Sequence, residues 1–425
     1  MNIAENDAPP IGLLYVAAAA RRGGLSVAVL DLNHPTLTAS ETVDAISRMA
    51  PRIIAFSVLT TASASVKRLV APIKSAFPGL PLVAGGIHAT VLPEDLLKAG
   101  IDFVVRGEGE ERFYELARAI IDGKPVDKIP GVVFRDGSAV VAGPRNVAIR
   151  DLDALAYPAR DLVPLGDYGQ AGAICGSRGC PYSCSFCSSV LSQGHLYRTR
   201  ATAKVVEEMD SMHAEFGTTR FQFFDDNFTA DVERAAALSK ALLSRSYVWA
   251  CQTTVMELAG RLDVLDLMFE AGCREVYFGL ETGSRRLMQQ YKGLNPERAL
   301  VVLTHAASRV SNGNGHPASR LQTVAGFILG HPEDDEQSIE ETVQFALTLR
   351  SMGVDTMMSI MQPYPGSLLH RTPARYGVTI ENTSFEDYLY PKANLSTRHL
   401  SRERIRDLYA GGLLRIMRTY ETGVV

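Results

Sequence analysis

An excess of basic residues is missing from this chain. Its 425 residues hold 43 Lys and Arg against 47 Asp and Glu, a net charge of -4. That balance excludes an electrostatically driven nucleic-acid binder. Cysteine is scarce: six in the whole chain are too few for a disulfide scaffold. No apolar run reaches the about 20 residues that span a bilayer. The opening MNIAENDAPP has neither the basic start nor the apolar stretch of a signal peptide. These absences predict a cytoplasmic protein with no membrane and no nucleic-acid partner. The composition is not that of a disordered chain, with 46% hydrophobic and 21% charged residues. The length suits two or three domains.

Residues 1–145 read as one α/β unit. Short apolar runs, Val27–Leu30, Ile53–Phe56, Leu82–Ala84 and Phe103–Val105, alternate with helix-like stretches such as Ser65–Phe77 and Glu110–Ile121. This pattern predicts buried parallel strands covered by helices. Gly131–Val141, with Asp136-Gly137 at its centre, reads as a closing β-hairpin. Residues 146–170, broken by Pro158, Pro164 and several Asp, read as a linker. Residues 171–370 repeat the alternation. Six βα units beginning at Ala173-Ile174 predict an open or partial (β/α)6 barrel with its site at the C-terminal strand ends. In the first of its helices Val205, Met209, Met212 and Phe216 form one apolar stripe, ended by Gly217. Residues 371–425 read as a helical C-terminal region.

Four of the six cysteines lie between Cys175 and Cys187. Cys180, Cys184 and Cys187 have the spacing C-x3-C-x2-C in a loop after a strand, and thiolates so close can converge on one soft metal centre. Three ligands suit a four-iron cluster that leaves one iron open. The alternative is a structural zinc site with Cys175 or His195 as fourth ligand. Asp225 and Asp226 fit a helix N-cap as well as a site. Cys175, Cys251 and Cys273 read as small core residues, His331 as a loop residue, and Tyr364 as packing or site. No residue is assigned as an acid, base or nucleophile.

The cysteine spacing, Phe186 before the last cysteine, Phe223-Phe224-Asp225-Asp226-Asn227-Phe228, Gly279-Leu280-Glu281-Thr282-Gly283-Ser284, Gly326–Pro332 and Pro363–Ser367 together resemble the radical S-adenosylmethionine (SAM) superfamily. The resemblance implies a [4Fe-4S] cluster on Cys180, Cys184 and Cys187, with SAM on the open iron. It implies Phe186 near the adenine, and Gly279, Glu281 and Ser284 at the methionine or ribose end. In the first unit Ser57-Val58-Leu59 and Gly85-Gly86 close successive strands. With Pro9–Tyr15 and Gly107-Glu108-Gly109-Glu110 they resemble the elements of cobalamin-binding Rossmann-like domains. Ser57, Leu59, Gly85, Gly86 and Glu108 are the cobalamin-site residues this implies.

Together the two units resemble cobalamin-dependent radical SAM enzymes. The activity implied is methylation of an unactivated carbon in a small-molecule or natural-product substrate. SAM would methylate cobalamin, a second SAM would yield a 5′-deoxyadenosyl radical, and an electron donor such as flavodoxin or ferredoxin would reduce the cluster. A cyclase, ring-contracting or eliminating enzyme of the same architecture, one with a degenerate cobalamin domain, and a non-catalytic sensor are the competing readings. The motif D-x-H-x-x-G is absent, since Asp31-Leu32-Asn33-His34 does not match it, which suits cobalamin without a protein ligand on its lower face. Met1–Ala8 are too polar for the buried strand that should precede the helix at Ile11. The expectation is an N-terminus without a strand, a gap or groove in the sheet, and weak cobalamin retention.

Overall fold

Apolar runs of four or five residues are buried on both faces when helices cover a parallel sheet, and this rule shapes both halves of the molecule. The computed structural model describes residues 8–32, 36–310, 320–389 and 391–421. In the N-terminal unit β1 (Ile54–Ser57), β2 (Leu82–Gly85) and β3 (Phe103–Val105) are parallel. The hairpin β4 (Val132–Asp136) and β5 (Ala139–Ala142) closes one edge, in the order β1-β2-β3-β4-β5. Ser57 pairs in register with Gly85, so the two motif ends stand side by side.

Val27–Leu30, expected as a strand, is not one. Its Val27 and Val29 rest on Ala17 and Ala18 of the helix Ile11–Arg22. A groove of about 570 Å³ runs along Leu25–Leu30 on one wall and Ile53–Phe56 on the other, floored by Val16, Ile46 and Phe113. A strand needs a partner for its backbone groups, and among the described residues none pairs with Val27–Leu30. Residues 1–7 and His34 lie outside the described residues.

The segment 146–170 is irregular, as expected of a linker, but it is packed. Val163, Leu165 and Tyr168 bury against Leu14. Arg160, 4% exposed, donates to the Ala173 carbonyl at 2.6 Å and pairs with Glu208 at 2.6 Å. Arg200 pairs with the same carboxylate at 2.5 Å.

The second sheet begins at β6 (Ala173–Ile174). A short antiparallel pair, β7 (Ser177–Arg178) and β8 (Arg198–Thr199), brackets the cysteine loop. Then follow β9 (Arg220–Phe223), β10 (Val248–Thr253), β11 (Cys273–Glu281), β12 (Gln322–Leu329) and β13 (Asp355–Ile360). The order is β6-β9-β10-β11-β12-β13, parallel throughout, with β6 and β13 at opposite edges, so the barrel is open. Trp249, Phe223 and Phe228 form its aromatic centre, with ring centroids 5.0 to 5.5 Å apart. Cys251 and Cys273 are core residues.

In the helix Thr202–Phe216 the residues Val205, Met209 and Met212 are buried as the stripe predicts. Phe216 departs from it: in the last turn the stripe runs past the sheet, and its side chain is exposed. Gly217 follows with φ +70°, the left-handed cap that glycine adopts without strain. The C-terminal region adds the antiparallel pair β14 (Val378–Ile380) and β15 (Leu395–Thr397) to its long helix, Arg402–Glu421. No helix among the described residues is long and apolar enough to cross a membrane.

Candidate active site

The cysteine loop is fixed at both ends. Asp225, fully buried just past the end of β9, accepts from the Gly176 N–H at 2.7 Å and the Ser177 hydroxyl at 2.6 Å. It also pairs with Arg234 at 3.0 Å. It does not cap the next helix; Asp231 does, accepting from the Arg234 N–H at 3.0 Å. On the far side Gly179 has φ +82°, and a Cβ there would lie 2.3 Å from the Leu196 carbonyl oxygen, so only glycine fits. Its N–H donates to Gln193 at 2.8 Å.

Cys180, Cys184 and Cys187 lie between these anchors, all partly exposed, with the Cys187 N–H donating to the Cys184 carbonyl at 3.2 Å. Burial pushes the Cys180 thiol up to about 11, and the charges of Cys187, Asp226 and Cys184 add to it. Burial also raises Cys184, opposed chiefly by the ammonium of Lys292. Among the described residues no three His, Cys, Asp or Glu side chains stand ready around a single ion. Neither candidate fourth zinc ligand joins the three thiols: Cys175 lines a cavity between the two units, and His195 is exposed. The donor set is three soft thiols in one loop, which suits an iron–sulfur cluster.

A second group of residues gathers at the C-terminal end of β11. The strand bulges between Gly279 and Glu281, and Glu281 has φ +68°, a strained value for a non-glycine residue. Its carboxylate folds back over Gly279, where a Cβ would sit 2.9 Å from Oε1. There it meets the Lys292 ammonium at 3.2 Å. Ser284 opens the helix Arg285–Lys292 with its hydroxyl buried and unpartnered in the protein. Phe186 packs edge-on against the ring of His331, with centroids 5.6 Å apart. His331 is not a surface loop residue. It is 1% exposed beside Tyr291 and Phe186, and burial pushes it down to about 4, so it is a neutral ring at physiological pH. Phe186, Gly279, Glu281 and Ser284 are thus brought to one strand end, beside the cysteine loop. Tyr364 donates to the Tyr388 carbonyl at 3.2 Å and packs on that ring, a structural role.

Sequence reasoning missed two groups here. One is Lys292. The other is Glu257, which accepts from Asn227 at 2.8 Å, from Thr254 at 2.5 Å and from the hydroxyl of Tyr182 inside the cysteine loop. A lone Lys before a glycine looks like a helix end, so no local signal marks either residue.

The third site is a cavity of about 220 Å³ between the two units. Ser57, Gly85, Gly86 and Tyr15 line it from the N-terminal unit, Cys175 and Arg178 from the barrel. Its volume is below the about 300 Å³ of the smallest ordinary ligand pockets. It shares Ala55, Phe56 and Phe113 with the groove beside β1. Leu59 is not on the cavity; its side chain is exposed on the turn after β1. Glu108 lines it, but its carboxylate is engaged by Arg178 at 3.0 Å, Arg198 at 2.9 Å and the Ile149 N–H at 2.6 Å. Arg178 also reaches Glu110 at 2.5 Å. These ion pairs join the two units.

Residues 2–117 match the B12 binding domain family and residues 174–346 the Radical SAM superfamily. An uncharacterised methyltransferase of Pyrococcus horikoshii is 30% identical over 371 residues, covering 85% of this chain and 77% of its own. The chain belongs to the cobalamin-dependent radical SAM enzymes. The cofactors of this family are a [4Fe-4S] cluster, SAM and cobalamin. Another relative in this family is the anaerobic magnesium-protoporphyrin IX monomethyl ester cyclase of Rubrivivax gelatinosus, 26% identical over 404 residues, or 89% of this chain and 68% of that one. In fold, the cobalamin-dependent radical SAM enzyme is similar to the methyltransferase TsrM of Kitasatospora setae, solved with cobalamin and a [4Fe-4S] cluster. The TM-score is 0.74 at 18% identity, covering 96% of this chain and 86% of that one.

Proposed function

We propose that this enzyme methylates an unactivated carbon of a small-molecule or natural-product substrate. One observation carries the reading: Arg178 and Cys175 line the slot of the N-terminal unit and lie on the same short stretch that leads into the cysteine loop at Cys180. Slot and cysteine loop therefore share a wall. When bound, the cluster and SAM supply one-electron chemistry that removes a hydrogen atom from carbon, and cobalamin supplies the methyl group.

The chain's own residues hold and orient. Cys180, Cys184 and Cys187 hold the cluster through three thiolates. Phe186, Gly279, Glu281 and Ser284 line the SAM site: the bulge at Gly279 lets the backbone approach closely, and the buried Ser284 hydroxyl offers an unused hydrogen bond. Ser57, Gly85 and Gly86 open the slot for the cobalamin tail. Glu108 serves there by fixing Arg178 and Arg198 rather than by touching the tail. A flavodoxin or ferredoxin in the cytoplasm supplies electrons.

Three expected results follow for the cofactor sites. Glu281→Ala weakens SAM binding about tenfold or more, the loss of one charged hydrogen bond, while the cluster's visible spectrum stays intact; unchanged SAM affinity makes the residue structural. For cobalamin, Gly86 is the wrong position to test. Its φ is +93°, and a Cβ there lies 2.9 Å from the Val58 backbone nitrogen, so any replacement strains the loop itself. Gly85 has no such conflict, its nearest neighbour being the Val105 oxygen at 3.8 Å. Gly85→Leu fills the slot, and cobalamin uptake is lost with the far-ultraviolet spectrum unchanged. The open groove beside β1 weakens retention as well. Cobalamin washes out on gel filtration of the wild type, and stoichiometric retention refutes that expectation.

The cyclase relative favours a second reading, radical ring formation without methyl transfer. Product mass after supplying SAM with an isotope-labelled methyl group separates the two, since only methylation carries the label into product.

A further inference from the structure

Lysine is among the residues least often buried, and an unpaired ammonium in a protein interior is costly. Lys292 is nevertheless 9% exposed. It is the last residue of the helix Arg285–Lys292, where the helix dipole favours a cation, and Gly293 at φ +63° turns the chain away behind it. Its partner, Glu281 at 3.2 Å, is itself 15% exposed and is held by a bulge and a strained backbone. Two departures from easy folding thus converge on one buried ion pair. The pair stands beside the cysteine loop: Phe186 of that loop packs on His331, whose ring lies 4.9 Å from that of Tyr291, the residue before Lys292. A structural salt bridge gives no reason for this place, since such pairs seldom stabilise more than apolar packing does.

We propose that Lys292 is the fixed positive charge that sets the reduction potential of the cluster on Cys180, Cys184 and Cys187, with Glu281 as the counter-charge that positions it. The inference rests on the cluster reading given above. Reduction adds one electron, taken from the low-potential donor, and breaks or forms no bond. A nearby cation in a poorly hydrated site stabilises the added negative charge, and local charge is one of the terms that set cluster potentials.

The test is a potentiometric titration of the anaerobically reconstituted full chain without SAM, using dithionite and following the signal of the reduced cluster by electron paramagnetic resonance. In Lys292→Met the ratio of reduced to oxidised cluster at a given applied potential falls at least tenfold, which for one electron is a midpoint about 59 mV lower. Lys292→Arg restores the wild-type midpoint. Glu281→Gln, which leaves the ammonium uncompensated, moves the midpoint upward. Opposite shifts from the two halves of one ion pair are what a merely structural pair would not give. An unchanged midpoint in Lys292→Met with full iron content overturns the proposal. So does an unchanged SAM-free midpoint accompanied by lost SAM affinity, which would make Lys292 a SAM anchor. If Lys292→Met fails to assemble its cluster, the Glu281→Gln midpoint decides, and no rise there overturns the proposal. Absence of any cluster in the wild type, by contrast, would fail the underlying reading and not this one.

Discussion

Cys184→Ala loses most of its iron and all SAM cleavage on anaerobic reconstitution. Cys184 is the middle member of the C-x3-C-x2-C set, and its carbonyl accepts from the Cys187 N–H at 3.2 Å. Two thiolates remain after the change, and among the described residues the two candidate replacements lie elsewhere: Cys175 faces the slot and His195 is exposed. A cluster that three thiolates would hold then has only two. The measurement is iron and sulfide content with the visible absorbance of the reconstituted protein. Full iron and full activity in this variant would sink the assignment.

Asp225→Ala destabilises the enzyme by about 3–5 kcal/mol, the cost of removing one partner of a buried ion pair. Asp225 is 0% exposed and Arg234 is 9% exposed. Removing the carboxylate leaves a guanidinium in the core and frees the Gly176 N–H and the Ser177 hydroxyl. Those two groups fix the entry to the cysteine loop, so cluster yield falls with stability. Asp225→Asn, of the same shape, retains an acceptor oxygen and loses less. Urea unfolding of the three proteins measures this, and an Asp225→Ala midpoint within error of wild type contradicts it.

The parts legible in the sequence are those whose cause is local. Apolar runs such as Leu82–Ala84 become strands because they are buried on both faces wherever they lie. The cysteine loop and Gly279–Ser284 are readable because cofactor chemistry demands fixed residues at fixed short spacings. Val27–Leu30 has the same apolar content as β2, but a strand also needs a neighbour, and no run declares whether its neighbour exists. Asp225 stands where a cap could stand; only the fold brings Gly176 and Arg234 to it. The motif of Glu108 follows a strand as a cofactor residue's does, yet its partners Arg178 and Arg198 lie 70 and 90 residues further on. Leu59 and Ser57 form one motif in the sequence, but of the two only Ser57 reaches the cavity. Lys292 and Glu257 show the same limit: buried charges find partners across the fold, and spacing along the chain carries no record of it.

The proposed place of SAM cleavage is a cluster held by Cys180, Cys184 and Cys187. The most direct test is to reconstitute the full chain anaerobically with iron, sulfide and cobalamin, add SAM and dithionite, and quantify 5′-deoxyadenosine. The prediction is 5′-deoxyadenosine from the wild type and none from Cys184→Ala. A wild-type protein with a complete, reducible cluster and bound SAM that forms no 5′-deoxyadenosine would contradict it.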